Sequence, residues 1–441
     1  MAMRFKGGVH PDYHKETAGL AIETLPLLPR YAVPLSQHLG APGTPLVTKG
    51  QQVAKGEPLS QPQGFVSVPV HAPTSGAVKA IKDWPHPLGR SLPAVEIEAD
   101  GEDRLWDGLA PLGDWRQQAP AALRDALKAA GLVGMGGATF PTHVKLSPPA
   151  DKPIDTFILN GAECEPYLTS DHRAMLEQAP AVMEGLGLMA RVLGVKRIII
   201  GVEANKPDAL EALRKACPPD VAAEFVLLEA KYPQGSEKHL IVALTGRRVP
   251  AGGLPMDVGC LVQNVGTAVA ACEAVGQGLP LIERVTTVTG EGIARPANLR
   301  LRVGTLLADV IAHCGGLGPR IAKVIFGGPM MGLGQFSLEV PVIKGTSGIL
   351  CLPAERITQY LADPCIRCGT CVDACPMGLV PSAMGVLAER GRFADLADYR
   401  VGDCIECGSC AYVCPSFRPL VQLFRRGKAE LRALESRSGA A

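Results

Sequence analysis

From residue 118 onward the apolar positions switch between two periods. Leu123, Ala126, Leu127 and Ala130 recur at the spacing of one helix face, and Gly131 follows as a C-terminal cap. A glycine-rich loop comes next. An apolar strand, Ile154–Leu159, is followed by a helix near 178–193, a strand Arg197–Val202, a helix near 207–216 and a strand Phe225–Leu228. Strands alternating with helices predict an α/β domain on a mostly parallel sheet. The first hundred residues differ. Short apolar runs, Val66–Val70 and Ala94–Ile97, lie between turn signals at 42–43 (Pro-Gly) and 75–76 (Ser-Gly), which predicts an all-β unit. In 284–333 a β-rich run, Val285–Thr289, a helical Leu306–Cys314 and a short Val324–Phe326 lead into Gly327-Gly-Pro-Met-Met-Gly332. From about 355 the chain turns helical and cysteine-rich. Leu420–Lys428 is a short basic amphipathic stretch, an ordinary surface helix by default and a docking element as the alternative.

Composition narrows the class. Gly (50) and Pro (38) make up about a fifth of the 441 residues, loop-rich but below the level of disordered chains. That length suits about three domains. Lys plus Arg (44) nearly balances Asp plus Glu (43), so no basic field supports nucleic-acid binding. The opening ten residues lack the apolar stretch of a secretory signal. No run of about 18 uninterrupted apolar residues appears. The best stretches are broken by Arg191 and Lys196, and by Gln263, Asn264 and Glu273. A soluble or membrane-peripheral protein is expected, with its 14 cysteines serving as cytosolic metal ligands or buried thiols rather than disulfides.

Eight of those cysteines carry the strongest chemistry. Cys365, Cys368, Cys371 and Cys375 are followed by Pro376; Cys404, Cys407, Cys410 and Cys414 repeat the spacing and are followed by Pro415. This is the spacing of bacterial two-cluster ferredoxins, in which three close cysteines wrap one [4Fe–4S] cluster and the fourth reaches the other. The expected quartets are Cys365, Cys368, Cys371 and Cys414, and Cys404, Cys407, Cys410 and Cys375. A structural zinc site explains one CxxC pair but not two full runs each ending in Cys-Pro. Cys164, Cys217, Cys260, Cys272, Cys314 and Cys351 lack ligand spacing and read as small buried hydrophobes. No catalytic acid, base or nucleophile is assigned.

The glycine-rich loop, Gly131 to Lys145, contains Gly134, Gly136, Gly137 and Phe140. It follows a helix rather than a strand, so it is not a dinucleotide-binding fingerprint. Clustered glycines let backbone amides approach a phosphate or a flat ring, and Lys145 adds a point charge; a structural turn is the alternative. The segment resembles the flavin-binding loop of the NADH-oxidising subunit of respiratory complex I. So, in the same order, do Asn160-Gly-Ala-Glu163-Cys-Glu165-Pro166, Tyr232-Pro-Gln-Gly235-Ser-Glu237 and Gln263-Asn264-Val-Gly-Thr267. The resemblance implies FMN contacts from Gly134, Gly136, Gly137, Lys145, Asn160, Gly235, Asn264 and Thr267. It puts Phe140, Glu165 and Glu237 on the nicotinamide side. The chain departs from that family at Met135, Ala162, Ser236 and Gln263, where the family carries arginine, aspartate, glutamate and asparagine.

Further resemblances complete the order. Val68 to Val78 resembles biotinyl and lipoyl carrier domains, although Lys79 lacks the carrier signature, and 284–333 resembles a soluble-ligand-binding β-grasp module. The expected fold is multidomain α/β plus β. It comprises a barrel-sandwich (1–105), a complex-I-like FMN/NADH-binding α/β domain (106–280), a β-grasp module (281–350), a helical two-cluster ferredoxin domain (351–420) and a tail (421–441). With Phe5-Lys-Gly-Gly-Val-His10 and Phe326-Gly-Gly-Pro-Met-Met331, the order resembles the C subunit of the Rnf electron-transport complex, called Rsx in some bacteria. That resemblance implies a peripheral oxidoreductase and translocase subunit on the cytoplasmic face of the inner membrane. It would carry FMN and two [4Fe–4S] clusters, use NADH as substrate, and have other Rnf/Rsx subunits and, indirectly, ferredoxin as partners. The alternatives are an iron–sulfur relay without a working flavin site and a soluble diaphorase subunit. The eight cysteines exclude the related front-end subunit of the sodium-pumping NADH–quinone reductase, which lacks them.

Overall fold

The computed structural model describes residues 4–357 and 361–437. Residues 1–3, 358–360 and 438–441, the last being the end of the tail placed at 421–441, lie outside the described residues. Near the N-terminus Arg30–Pro34, Arg90–Ala99, Gly76–His86 and Gln52–Val53 form an antiparallel sheet in that order, and Thr44–Pro45 pairs with Ser60–Gln61. Tyr31, Val33, Val53, Leu59, Val78, Val95 and Ile97 fill its core. Ala94–Ile97 falls inside a strand, but Val66–Val70 forms none. Side chains take its amides instead: Val70 N donates to Ser60 Oγ at 3.0 Å and Val68 N to His38 Nε2 at 3.3 Å. Lys79 lies within a strand, paired with Glu98 at 2.9 Å, so the barrel offers no carrier lysine at a hairpin tip.

In the middle of the chain the strands Ala223–Leu228, Arg197–Glu203, Thr156–Gly161 and Cys260–Asn264 lie side by side in that order, all parallel. Their apolar runs are continuous because both faces are covered. Phe157, Leu159, Ile198, Ile200 and Leu261 enter one core with the helices Pro120–Ala129, Ala179–Leu193, Pro207–Lys215 and Val265–Gly276. Ile158, Ile199, Cys260 and Val262 enter the other, against Leu240 and Ile241 of the helix Glu237–Thr245. The chain lays strands outward from Thr156–Gly161, then returns to add Cys260–Asn264 on its other side. That reversal opens a crevice at the carboxyl ends of these two strands.

A six-stranded mixed sheet follows, in the order Ile22–Thr24, Ala297–Arg302, Glu283–Thr289, Gly348–Pro353, Ile321–Phe326 and Leu333–Gly334. Residues of the helix Leu307–His313 pack into its core. The unit expected at 281–350 therefore borrows its edge strand from the N-terminal segment, and its inner strand runs on to Pro353. The cysteine module consists of short helices, Thr370–Asp373, Pro381–Glu389 and Ser409–Tyr412, and the longer Leu420–Arg437. The basic amphipathic stretch opens that last helix, with Leu420 and Phe424 in a small core and Arg425 and Arg426 outward. An N-terminal strap joins the cysteine module to the parallel-sheet domain: Gly8 N donates to Ala374 O at 2.9 Å and Val9 N to Tyr232 O at 2.8 Å. Among the described residues no helix is long and apolar enough to cross a membrane.

Candidate functional site

The eight cysteines surround two separate hollows. Cys365, Cys368, Cys371 and Cys414 line one of about 350 Å³; Cys375, Cys404, Cys407 and Cys410 line another of about 360 Å³. The fourth cysteine of each run thus lies with the first three of the other. The local turns explain how each loop wraps its hollow. Arg367 and Glu406, inside the two CxxC steps, adopt φ of +56°, and Gly369 and Gly408 follow at +83° and +81°. Left-handed residues in such loops turn successive backbone amides toward one point, a concavity that suits anionic clusters. Among the described residues no three Cys, His, Asp or Glu side chains are grouped to hold a single ion; each quartet instead rings a hollow. Burial pushes the Cys404 thiol up to about 11 and those of Cys371, Cys407 and Cys410 upward as well. Thiols in such surroundings ionise by binding metal, not by themselves. The quartets fit [4Fe–4S] clusters in number, donor type and enclosure.

The second site lies in the crevice at the strand ends. Asn160 and Asn264 are register partners, so both strands end level. Asn264 then caps the helix Val265–Gly276, accepting from Gly266 N at 2.8 Å, and donates to Asp171 Oδ2 at 2.6 Å. Asn160 donates to Gly235 O at 2.8 Å and accepts from Ala162 N at 3.1 Å. The glycine loop closes over this pair. Gly134 N donates to Phe140 O at 2.8 Å, Met135 N donates to Thr267 Oγ1 at 2.9 Å, and Gly136 faces Asn264 Cβ. Gly136 and Gly137 are exposed; Gly137, with φ of +119°, has nothing within 4 Å of where a Cβ would be. Lys145 Nζ donates to Val262 O at 3.1 Å and contacts the Glu237 carboxylate. Gln263 Nε2, on the neighbouring strand position, is buried with no acceptor. Bare amides, an ammonium and an unmet donor around an open glycine surface fit a flavin nucleotide.

Two assigned residues do other work in this arrangement. Thr267 uses its hydroxyl on the loop. Glu165 accepts from Met330 N at 3.2 Å and Met331 N at 2.7 Å, tying the parallel-sheet domain to the Gly327–Gly332 loop. Other residues of the site carry no motif. Arg284 is buried and donates to Met135 O at 2.8 Å and to Lys344 O at 3.0 Å, so a guanidinium from another domain reaches the loop position where arginine is missing. Lys344, its pKa lowered by burial to about 7, donates to Gly131 O at 2.7 Å and Pro69 O at 3.1 Å. Burial and the nearby Glu163 raise Asp171 to about 7. Their only mark in the sequence is a lone charge within or beside an apolar run.

Four known domain families match successive stretches of the chain. The RnfC barrel sandwich hybrid domain matches residues 3–102, the Nuo51 FMN-binding domain 127–273, the SLBB domain 285–334 and the 4Fe-4S dicluster domain 364–417. The fold is shared with the NAD+-reducing [NiFe]-hydrogenase in its H2-reduced state, with a TM-score of 0.53 and 22% identity over 75% of this chain and 69% of that one. Together the fold and the two sites define an oxidoreductase subunit that carries FMN and [4Fe–4S] clusters. The chain is 47% identical over 442 residues to the C subunit of the proton-translocating ferredoxin:NAD(+) oxidoreductase complex of Clostridium ljungdahlii, covering 100% of this chain and 96% of that one. It is 48% identical over 387 residues to the corresponding subunit of the Na(+)-translocating ferredoxin:NAD(+) oxidoreductase complex of Acetobacterium woodii, covering 88% and 87%. It is 45% identical over 436 residues to that of the ion-translocating oxidoreductase complex of Rhodobacter capsulatus, covering 98% and 84%. The chain belongs to the RnfC family, the C subunits of the Rnf ion-translocating oxidoreductase complexes.

Proposed function

We propose that the crevice accepts reducing equivalents from NADH and that the cysteine module hands them on singly to other subunits of an ion-translocating complex, and through them to ferredoxin. FMN, when bound, supplies the conversion between a hydride donor and one-electron carriers. The chain's residues supply its binding. The exposed amides of Gly136 and Gly137, with Lys145, are the phosphate-facing groups. Gly134, Asn160, Gly235, Asn264 and Thr267 form the floor and walls, held level by the strand register. Phe140 and Glu237 border the nicotinamide side, and Glu165 shapes that side through the Gly327–Gly332 loop. Cys365, Cys368, Cys371 and Cys414 ligate one cluster, and Cys375, Cys404, Cys407 and Cys410 the other. The supporting observation is a flavin-type crevice and two four-cysteine hollows in one chain, joined by Tyr232, whose hydroxyl donates to Cys407 O at 2.7 Å.

NADH is a cytoplasmic reductant, and among the described residues no helix is long and apolar enough to cross a membrane. These two facts support a peripheral position on the cytoplasmic face of the inner membrane. The test is anaerobic purification followed by NADH addition. Flavin should co-purify or be reconstituted, and the cluster absorbance should bleach. A preparation that holds no flavin and never bleaches would refute NADH oxidation by this subunit.

A further inference from the structure

The two cysteine runs form an internal repeat whose halves differ in charge. Cys365-Ile-Arg367-Cys368 corresponds to Cys404-Ile-Glu406-Cys407, and Cys414-Pro-Ser-Phe-Arg418 to Cys375-Pro-Met-Gly-Leu379. Because the fourth cysteines cross over, each matched residue lines the equivalent wall of its own hollow. Arg367 and Arg418 line the hollow of Cys365, Cys368, Cys371 and Cys414; Glu406 and Leu379 line the other.

Arg418 is the telling member. Its side chain is 3% exposed, and its Nη2 lies 2.5 Å from Glu389 Oε2, a carboxylate that is itself 44% exposed. Nη1 is buried with no acceptor. A buried guanidinium N–H left unmet is costly, and the sulfurs of a cluster in the adjoining hollow are the acceptors it faces. Water screens Glu389 but not Arg418, so the cation dominates the field in the hollow. Among the described residues no cation lines the other hollow. Arg425 and Lys428 both bind Glu406, each at 2.7 Å, and Lys428 also donates to Cys404 O at 2.6 Å, so these cations are engaged by oxygens; Leu379 and Glu406 offer only backbone N–H groups to the sulfurs, each 3.4 Å away, at Cys375 Sγ and Cys404 Sγ. A cluster gains negative charge when reduced, so a nearby cation, N–H···S bonds and solvent access all favour its reduced form. Access points the same way: Cys371 and Cys410 are both buried, but Cys368 is exposed whereas its counterpart Cys407 is buried.

We propose that Arg418 holds the site of Cys365, Cys368, Cys371 and Cys414 at a higher reduction potential than its partner site, which makes it the resting place of the electron. The partner site is the one packed on the parallel-sheet domain, where Cys164, Tyr232, Ala374 and Cys407 share an apolar cluster. The biased step moves one electron outward: the inner site is oxidised by one, the outer reduced by one, and no bond or proton changes hands. The proposal rests on the two-cluster assignment above.

The experiment is an anaerobic redox titration of the full reconstituted chain, followed by electron paramagnetic resonance. Iron and sulfide content is measured first; a wild-type chain that cannot hold two clusters refutes the cluster assignment itself. With two clusters bound, the signal altered by Cys368→Ser identifies the outer site, which should have the higher midpoint. Arg418→Leu copies the inner site. It should lower that one midpoint by at least a tenfold change in electron sharing, about 59 mV for one electron. Arg418→Lys should recover most of the shift, and Glu389→Gln should raise the midpoint by unmasking the cation. An outer site with the lower midpoint, or an Arg418→Leu change that moves neither or both midpoints equally, overturns the proposal. If Arg418→Leu loses the cluster, Glu389→Gln decides: a rise supports the proposal, and no change overturns it.

Discussion

Lys145 is poised in the crevice by the chain itself, held between Val262 O and the Glu237 carboxylate. A charge-assisted hydrogen bond contributes about 1.5–3 kcal/mol. Lys145→Met should therefore weaken FMN binding roughly 10- to 100-fold, as read from quenching of flavin fluorescence; unchanged affinity would leave the glycine amides as the whole phosphate site. Glu165 gives a pH signature. Burial raises its carboxyl to about 7 from an ordinary value of 4.5. A raised acid is protonated in the fold, so its stability contribution is complete below pH 4.5 and is lost as the pH rises through about 7. Asp171, also raised to about 7, acts with the same sign. The melting temperature should fall across that window, and Glu165→Gln should flatten part of the slope; an unaltered slope would remove Glu165 as a contributor. Lys145 and Asn264 were legible because they sit in ordered motifs. Arg284 was not: its partners, Met135 O and Lys344 O, lie 149 and 60 positions away in the chain.

At the scale of elements, strand and helix order in the α/β domain follows the apolar period closely. The expected strand Arg197–Val202 is Arg197–Glu203, and the expected helix 178–193 is Ala179–Leu193. Val66–Val70 fails the same logic because an apolar run specifies burial, while a strand also needs a partner for its amides, and here Ser60 and His38 take that part. In the cysteine module the crossing of the quartets makes a sharp prediction. Cys375→Ala should abolish the same spectroscopic signal as Cys410→Ala and spare the one lost in Cys371→Ala, with about half the iron retained. Loss of the Cys371 signal would mean that each run serves its own cluster. Tyr232→Phe removes the hydroxyl that donates to Cys407 O at 2.7 Å. It should cost about 1 kcal/mol in denaturant unfolding and slow cluster bleaching by NADH; identical rates would show that the contact only packs.

The whole molecule is held together by segments that leave their own domain. The strap of Gly8 and Val9 bridges Tyr232 and Ala374, Ile22–Thr24 completes the β-grasp sheet, and Lys344 joins the barrel at Pro69 to the glycine loop at Gly131. The cysteine module has the thinnest core, with cysteines among its buried members, so its folding should depend on metal. Removing iron with a chelator should release hydrogen-exchange protection in 361–437 while the strands of the parallel sheet stay protected; equal protection with and without iron would show that the module folds by itself. By itself the sequence determined the cluster chemistry and the parallel α/β core, because spacing and periodicity are local properties of a chain, while the order of domains followed from resemblance to known families. Only the tertiary structure decided which hollow Arg418 faces, how Arg284 reaches the loop at Met135, and that Glu165 turns to the methionine amides. Those outcomes depend on which distant segments meet, and a charged side chain is stable in such a place only once the fold has brought its partners there.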